Sequence, residues 1–190
     1  MCRHLGYLGP ARSVGDVLTA GTSSLMQQSW APRDMRGGGT VNADGFGAAW
    51  WTDDGVGHYR NPMPIWTDPA VTDALTSVRS TAVVAAIRSA TVGMPVDRSS
   101  SDSQEPGEAL AGLVRDVDAA APGSRLNLLL SDGRTLWATA VHHALSVRVD
   151  GASAVVASEP TDDDADWRSV PDRSIVTAAA GSLDITPLDR

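Results

Sequence analysis

The start of the chain combines a nucleophile with a chain end. Cys2 is the only cysteine, and it directly follows Met1. If Met1 is removed, one residue carries both the thiol and the free α-amine, and that amine, directly or through one water, can accept the thiol proton. An α-amine titrates near ~8 in model peptides, so an appreciable fraction is already a neutral base around neutral pH. The type and position of this residue therefore predict nucleophilic catalysis that requires no histidine as base.

A plainer interpretation is that Cys2 is a small residue at a frayed terminus. Two features favour the catalytic interpretation. Leu5, Tyr7 and Leu8 follow at once in a strand-like pattern, which would hold the terminus in place. Removal of the initiator methionine is also generally easy before a side chain as small as that of cysteine. We therefore expect Cys2 to become the first residue and to act as the nucleophile.

A second chemically suited group stands where a predicted strand ends. Residues 81–87 are a continuous run of β-branched residues and alanine, the pattern of a strand that is covered on both faces. Arg88, Ser89 and Thr91 follow directly, so an arginine and two hydroxyls lie where this strand emerges. Two interpretations of Arg88 remain open from the residues alone: a surface ion pair, or a binding site for an anionic ligand.

Local patterns also predict the elements that position these groups. Asp68 and Pro69 suit the start of a helix, as N-cap and first helical residue. Asp-Gly pairs at 132–133 and 150–151 predict two hairpins in an antiparallel meander. Besides the opening strand, we predict helices over 22–30, 69–79 and 108–119, and strands within 42–51, 56–60, 81–87, 126–130, 135–139, 145–149, 154–158, 174–177 and 183–187.

Length and composition predict one soluble domain. The chain has 190 residues, with 42% hydrophobic and 20% charged residues, which suffices for one well-buried core. A polar stretch at 97–107 is interpreted as a linker within this single domain. No apolar run is long enough to cross a bilayer, and no charged-then-apolar leader precedes the chain, so the expected location is the cytoplasm.

Charge and residue usage exclude several classes of partner and cofactor. A formal net charge of -8 argues against binding to nucleic acid, which needs a basic surface, so the expected partners are small molecules. A single cysteine excludes an internal disulfide and a four-cysteine metal site. The four histidines lack metal-ligand spacing, and the acidic loop at 162–166 lacks the ligand pattern of a calcium site and predicts a solvated turn. We expect no metal and no organic cofactor, and the oligomeric state stays open.

Several motifs along the chain resemble one family. They are the first nine residues, Gln28-Ser29-Trp30, Asn42-Ala43-Asp44-Gly45-Phe46-Gly47, the stretch from Arg60 to Trp66, Arg88-Ser89-Ala90-Thr91, and the tail from Ser158-Glu159-Pro160 to Pro171-Asp172-Arg173. Together they resemble the class II glutamine amidotransferase-like amidohydrolases of bacterial ergothioneine biosynthesis. The resemblance implies an α+β fold with the four-layer αββα sandwich of antiparallel sheets of N-terminal nucleophile hydrolases, extending over residues 1–190. It also implies hydrolysis of the γ-glutamyl amide of γ-glutamyl-hercynylcysteine sulfoxide.

The resemblance assigns roles to individual residues. Cys2 matches the nucleophile, which would form a glutamyl thioester. Arg88 and Thr91 match the pair at a strand end that holds the α-carboxylate of the glutamyl group. Asp102 lies in a Ser-Asp-Ser-Gln run that resembles the Ser-Asp-Ser-Glu run binding the substrate's amino group in related amidotransferases, although short serine-aspartate runs also arise in any linker.

The chain also departs from the family pattern. Family members carry a Phe-x-His-Asn-Gly segment, whose asparagine side chain and glycine amide form the oxyanion hole, and then a helical stretch; several dozen residues are missing here, and we place the deletion near 97–107. Either the chain no longer catalyses, or another backbone amide replaces the oxyanion hole, or a segment is omitted from the sequence. The alternative function is therefore an impaired or inactive family member that binds a γ-glutamyl or betaine ligand without turnover, through Arg88 and Trp30, Trp50, Trp51 and Trp66.

Overall fold

The computed structural model describes residues 2–34, 41–88 and 105–188. The strands in this part of the chain are β1 (Arg3–Ser13), β2 (Phe46–Thr52), β3 (Gly55–Asn61), β4 (Arg79–Ile87), β5 (Leu129–Ser131), β6 (Leu136–Ala140), β7 (Ser146–Val149), β8 (Ala154–Ala157), β9 (Arg168–Ser169), β10 (Ser174–Ala179) and β11 (Ser182–Pro187). The helices are α1 (Val14–Thr19), α2 (Leu25–Gln28), α3 (Pro69–Thr72), α4 (Ala74–Ser77) and α5 (Pro106–Ala120), with a 3₁₀ turn at Ile65–Thr67.

The strands form two antiparallel sheets that pack face to face. The first sheet has the order β3-β2-β4-β1-β8-β7-β9, and the second has the order β11-β10-β6-β5. One apolar cluster lies between the first sheet and α1 to α4, a second lies between the two sheets, and a third lies between the second sheet and α5. These layers confirm the predicted αββα sandwich.

The central strand β1 shows how closely the two sheets pack. Its side chains alternate, so that Leu5 and Tyr7 join the cluster under the helices while Leu8 joins the cluster between the sheets. Gly6 also faces the second sheet, where a Cβ would lie 2.8 Å from Leu136 Cδ2. A side chain here would force Leu136 to shift, so glycine allows the two sheets to pack closely at this point.

Several strand ends meet at one edge of the first sheet. Arg3 at the start of β1 pairs with Ile87 at the end of β4. Ile87 also pairs with Phe46 at the start of β2, and Phe46 pairs with Asn61 at the end of β3. The segments flanking these four strands therefore emerge together, and this edge is the place where residues distant in sequence meet.

The prediction of one continuous helix over 69–79 is wrong, because this segment forms two short helices. Asp68 does cap its start, because the carboxylate accepts a hydrogen bond of 2.9 Å from the Ala70 N–H. At Asp73, however, the backbone leaves helical geometry with φ -108° and ψ -80°, which divides the segment into α3 and α4, and β4 has begun by Arg79. Near this break the Val71 carbonyl lies so close to α1 that a Cβ on Gly15 would be 2.6 Å from its oxygen. Packing between short helices thus overrides the helical periodicity.

The predicted hairpins are confirmed, but they do not form one meander. β5 and β6 pair around 132–133 in the second sheet, whereas β7 and β8 pair around 150–151 in the first sheet. The chain changes sheets between β6 and β7, where His142 adopts a positive φ of 59°. The helix predicted over 108–119 is confirmed as α5, and most of the predicted linker at 97–107 lies outside the described residues.

Candidate active site

The structure brings Cys2 and Arg88 to the same edge. Arg3 and Ile87 are paired across the antiparallel β1 and β4 strands. Cys2 and Arg88 are the next residues on the two chains, so continuing this register by one step is expected to set Cys2 opposite Arg88. Residues directly opposite each other in such a pair have Cα atoms about 5 Å apart. The thiol of Cys2 is free and exposed. The thiol predicted to be the nucleophile and the guanidinium predicted to bind a carboxylate, which are widely separated in sequence, therefore lie at the same end of the sheet.

Arg88 is held by the loop that precedes β2. Its backbone N–H donates to the Gly45 carbonyl at 3.0 Å, its carbonyl accepts from the Asp44 N–H at 3.1 Å, and its Nε donates to the Asp44 carbonyl at 2.7 Å. Gly45 has a φ of 119°, and a Cβ there would lie 2.8 Å from the Asn61 carbonyl oxygen, so this loop requires glycine.

The ion-pair interpretation of Arg88 finds no support in the described residues. Across 2–34, 41–88 and 105–188 no carboxylate forms a salt bridge with it, and its Nη groups have no hydrogen-bond acceptor. A half-buried guanidinium with its Nε anchored retains two parallel donors for a carboxylate ligand. Thr91 and Asp102, the other predicted ligand-binding residues, lie outside the described residues, and their roles stay predictions.

Sequence reasoning missed a buried ion pair that begins at Arg3, directly after Cys2. The side chain of Arg3 is fully buried, and its Nη1 lies 3.8 Å from Oε2 of Glu159, which is almost as buried. Burial lowers the pKa of Arg3, while the charges of Glu159 and Asp34 act in the opposite direction. Two signals in the sequence were available: Arg3 is a charged residue within the apolar opening strand, and Glu159 is a carboxylate directly after the predicted strand over 154–158.

His4 is not suited to act as a base. Burial, together with the charges of His143 and Arg3, lowers the pKa of His4 to about 4, so its imidazole is neutral at pH 7. Its backbone has a structural role, because the His4 N–H donates to Ser158 Oγ at 3.0 Å and the His4 carbonyl accepts from the Ser158 N–H at 3.1 Å. These bonds fasten β1 to the end of β8 two residues after Cys2.

The four tryptophans proposed to bind a betaine ligand, Trp30, Trp50, Trp51 and Trp66, do not come together in one site. Trp30 and Trp66 make an edge-to-face pair with ring centroids 5.6 Å apart, and each is 39% exposed. Trp50 packs instead against the cluster under the helices, and Trp51 packs against the cluster between the sheets. The exposed pair is tied to the loop that holds Arg88, since the Asn42 N–H donates to the Ser29 carbonyl at 2.7 Å.

Two cavities lie away from Cys2. One of about 410 Å³ lies beside the C-terminal end of α5, and one of about 160 Å³ lies beside Tyr7 and Arg148; neither is lined by Cys2 or Arg88. The acidic loop is not simply solvated, because Asp162 and Asp164 each lie 3.0 Å from Arg148. Within the described part of the chain, no group of three or more histidine, cysteine or acidic residues is arranged to hold a metal ion.

Of the helices that the described residues form, none combines the length and the apolar character needed to cross a bilayer.

Comparison with curated proteins finds close relatives over the whole chain. The chain is 34% identical to a gamma-glutamyl-hercynylcysteine sulfoxide hydrolase of Mycolicibacterium smegmatis, with 99% of this chain and 100% of the relative covered. It is 33% identical to the protein of the same name from Mycobacterium tuberculosis strain H37Rv, with 100% and 98% covered. No family model matches the chain.

The alignment with the first relative supports the predicted shortening. It extends over 230 positions, whereas this chain has 190 residues, so at least 40 positions have no residue in this chain. This difference agrees with the several dozen missing residues predicted from the motifs.

Solved structures share the fold. A glutamine aminotransferase class-II domain protein from Silicibacter pomeroyi matches with a TM-score of 0.64 and 19% identity, covering 97% of this chain and 98% of that chain. A glutamine phosphoribosylpyrophosphate amidotransferase from B. subtilis matches with a TM-score of 0.58 and 12% identity, covering 98% of this chain and 49% of that one. The two-sheet architecture is thus that of class II glutamine amidotransferase domains.

Proposed function

Because the chain belongs to the gamma-glutamyl-hercynylcysteine sulfoxide hydrolase family, we propose that it hydrolyses the γ-glutamyl amide of γ-glutamyl-hercynylcysteine sulfoxide to glutamate and hercynylcysteine sulfoxide. The structural observation that supports this proposal is the register that sets Cys2 opposite Arg88. A γ-glutamyl group has a carboxylate at one end and the scissile amide at the other, so it needs a cation and a nucleophile a short distance apart. The proposed reaction takes place in the cytoplasm on a small-molecule substrate.

The proposed chemistry uses the two groups of the terminal residue. After Met1 is removed, the α-amine of Cys2 accepts the thiol proton, and the thiolate attacks the γ-carbonyl carbon. The tetrahedral oxyanion collapses to a glutamyl thioester as the C–N bond breaks, and the leaving amine takes the proton. Water then attacks the thioester with the α-amine again as base, which releases glutamate and restores the thiol.

Arg88 supplies the positioning in this proposal. Its two Nη groups form a two-pronged contact with the α-carboxylate of the glutamyl group, aided by the Thr91 hydroxyl, while Asp102 contacts the amino group. Holding the reacting atoms in place in this way converts a bimolecular step into an effectively unimolecular one.

The shortened segment is the reason to retain a second candidate function. Loss of one oxyanion donor costs on the order of a hundred- to a thousandfold in rate. If the missing positions include both family donors and nothing replaces them, the chain binds γ-glutamyl or betaine ligands without turnover. We propose the deletion to lie near 97–107, in agreement with the difference of at least 40 positions from the relative.

A glutamate-release assay with mass spectrometry separates these two functions. Purified chain without Met1 that releases glutamate from γ-glutamyl-hercynylcysteine sulfoxide supports the hydrolase. Saturable binding of this compound without any release supports the inactive binder. Retention of Met1 on the whole population would exclude the terminal-cysteine mechanism, because no free amine would adjoin the thiol.

The exposed Trp30–Trp66 pair is proposed to contact the trimethylammonium group of the hercynyl moiety. Aromatic faces attract such cations with about 0.5 to 2 kcal/mol. We expect Trp66→Ala to raise KM for the betaine substrate by about twofold to thirtyfold, from steady-state glutamate release. Kinetics with a γ-glutamyl analogue that lacks the three methyl groups are the control, and an equal increase in KM for both compounds would contradict a cation-binding role.

A further inference from the structure

Three segments converge on Glu159 behind the nucleophile. Its carboxylate accepts hydrogen bonds from the Ser23 hydroxyl at 3.0 Å, from the Arg33 N–H at 3.0 Å and from the Asp34 N–H at 2.8 Å. It also faces the Arg3 guanidinium at 3.8 Å. Glu159, the second residue after β8, thus joins the turn before α2, the 33–34 segment and the first residue of β1.

Arg3 closes this cluster from the other side. Its Nη2 donates to the Asp34 carbonyl, and its side chain is fully buried. Taking two charges out of water is unfavourable, and apolar residues of similar volume would stabilise the fold as well or better. What this cluster adds is a fixed geometry, because hydrogen bonds are directional: Arg3 Nη2 donates to the Asp34 carbonyl, and the Asp34 N–H donates to Glu159 at 2.8 Å.

The residue that this cluster holds in place, Arg3, is joined to Cys2 by one peptide bond. In an extended chain the side chains of Cys2 and Arg3 project to opposite faces, so Arg3 anchors the strand from behind the thiol. The bonds between His4 and Ser158 fasten the next residue. The chain start is thereby held immediately after the residue that carries both nucleophile and base.

We propose that Arg3 and Glu159 are positioning residues that hold the thiol and α-amine of Cys2 toward Arg88. This inference rests on the proposed role of Cys2 and extends it to two residues that do not touch the substrate. Because the two charges oppose each other, the pair adds little net field at the chain start. Other charged or titratable groups around this edge include Arg88 at the end of β4, Asp44 in the loop before β2, Arg33 and Asp34 from the 33–34 segment, His4 and His143, and Asp68 and Arg60 near the end of β3.

The proposal predicts opposite changes in the reactivity of Cys2 when either member of the Arg3–Glu159 pair is replaced. Glu159→Gln preserves shape but leaves the Arg3 cation without its opposing carboxylate, which favours the thiolate and disfavours the protonated amine. The pH midpoint for alkylation of Cys2 is therefore expected to fall. Arg3→Met leaves the Glu159 anion and is expected to raise the same midpoint. Because Cys2 is the only cysteine, iodoacetamide labelling followed by mass spectrometry reports on this thiol alone.

Kinetics of the same variants test the positioning itself. Both substitutions are expected to lower kcat for glutamate release by about tenfold to a hundredfold with little change in KM, since a small displacement of the reacting atoms affects chemistry more than binding. Asp162→Asn is the matched control: its partner Arg148 lies 3.0 Å away in a different cluster, and we expect this variant to leave kcat and midpoint unchanged.

The outcomes distinguish this proposal from the proposed function. Opposite midpoint shifts in folded Glu159→Gln and Arg3→Met chains support positioning by the pair even if the wild-type chain releases no glutamate, which would overturn only the hydrolase function. Unchanged midpoints in both variants, with activity lost only in proportion to lost thermal stability, would show that the pair is merely structural and overturn the inference.

Discussion

The Cys2→Ala variant is expected to release glutamate from γ-glutamyl-hercynylcysteine sulfoxide at least about a thousandfold more slowly than the wild-type chain, because no thioester can form without the thiol. Removal of a nucleophile from a catalytic unit typically costs this much or more. The measurement is single-turnover glutamate release at saturating substrate, with circular dichroism to show that the variant is folded.

A matched pair of controls makes the expected result specific to Cys2. Cys2→Ser retains a nucleophilic side chain at the N-terminus, but a hydroxyl is much less acidic than a thiol. We therefore expect turnover that is measurable but much slower. Substrate affinity should be nearly unchanged in Cys2→Ala, because the proposed principal charged contact with the substrate is made by Arg88. Wild-type rates in the alanine variant would rule out covalent catalysis by this residue.

Arg88→Ala is expected to lower kcat/KM by about thirtyfold to several thousandfold. The proposed two-pronged contact with a carboxylate would be lost, and truncating one partner of such a charge pair costs about 2 to 5 kcal/mol. The backbone bonds of Arg88 with Asp44 and Gly45 are retained in this variant, so the strand end should keep its position. The measurement is the dependence of the glutamate-release rate on substrate concentration.

Two comparisons identify the group that Arg88 binds. Arg88→Lys keeps the charge without the planar fork and should recover only part of the loss. A substrate analogue without the α-carboxylate should be processed poorly by the wild-type chain and no worse by Arg88→Ala. If the alanine variant lost a hundredfold on that analogue as well, the carboxylate contact would be disproved.

Local sequence patterns predicted most individual elements, and particular residues show where they failed. The alternation of apolar residues in the opening strand and the two Asp-Gly turns predicted strands that the structure confirms. The helical spacing after Asp68 predicted a helix that is interrupted at Asp73, and the residues on both sides of this break, Val71 and Thr76, pack closely against Gly15 of α1. Periodicity describes one segment at a time, and it contains no information on which neighbour a segment will meet.

The sequence alone determined the chemical candidates and the family. A lone cysteine behind Met1 and an arginine after a buried strand are visible as residue types in order, and the motifs around them resembled the family that the curated relatives establish. The αββα fold followed from the same resemblance and is confirmed by the two packed sheets.

Only the tertiary structure decided which of these residues become neighbours. The pairing of Arg3 with Ile87 places Cys2 and Arg88 at the same end of the sheet. The burial of Arg3 against Glu159 brings together two residues that are more than 150 positions apart in the sequence. It also separated Trp30 and Trp66 from the tryptophans of β2. Strand order and register depend on the packing of whole faces against each other, and this information is distributed over residues far apart in the sequence.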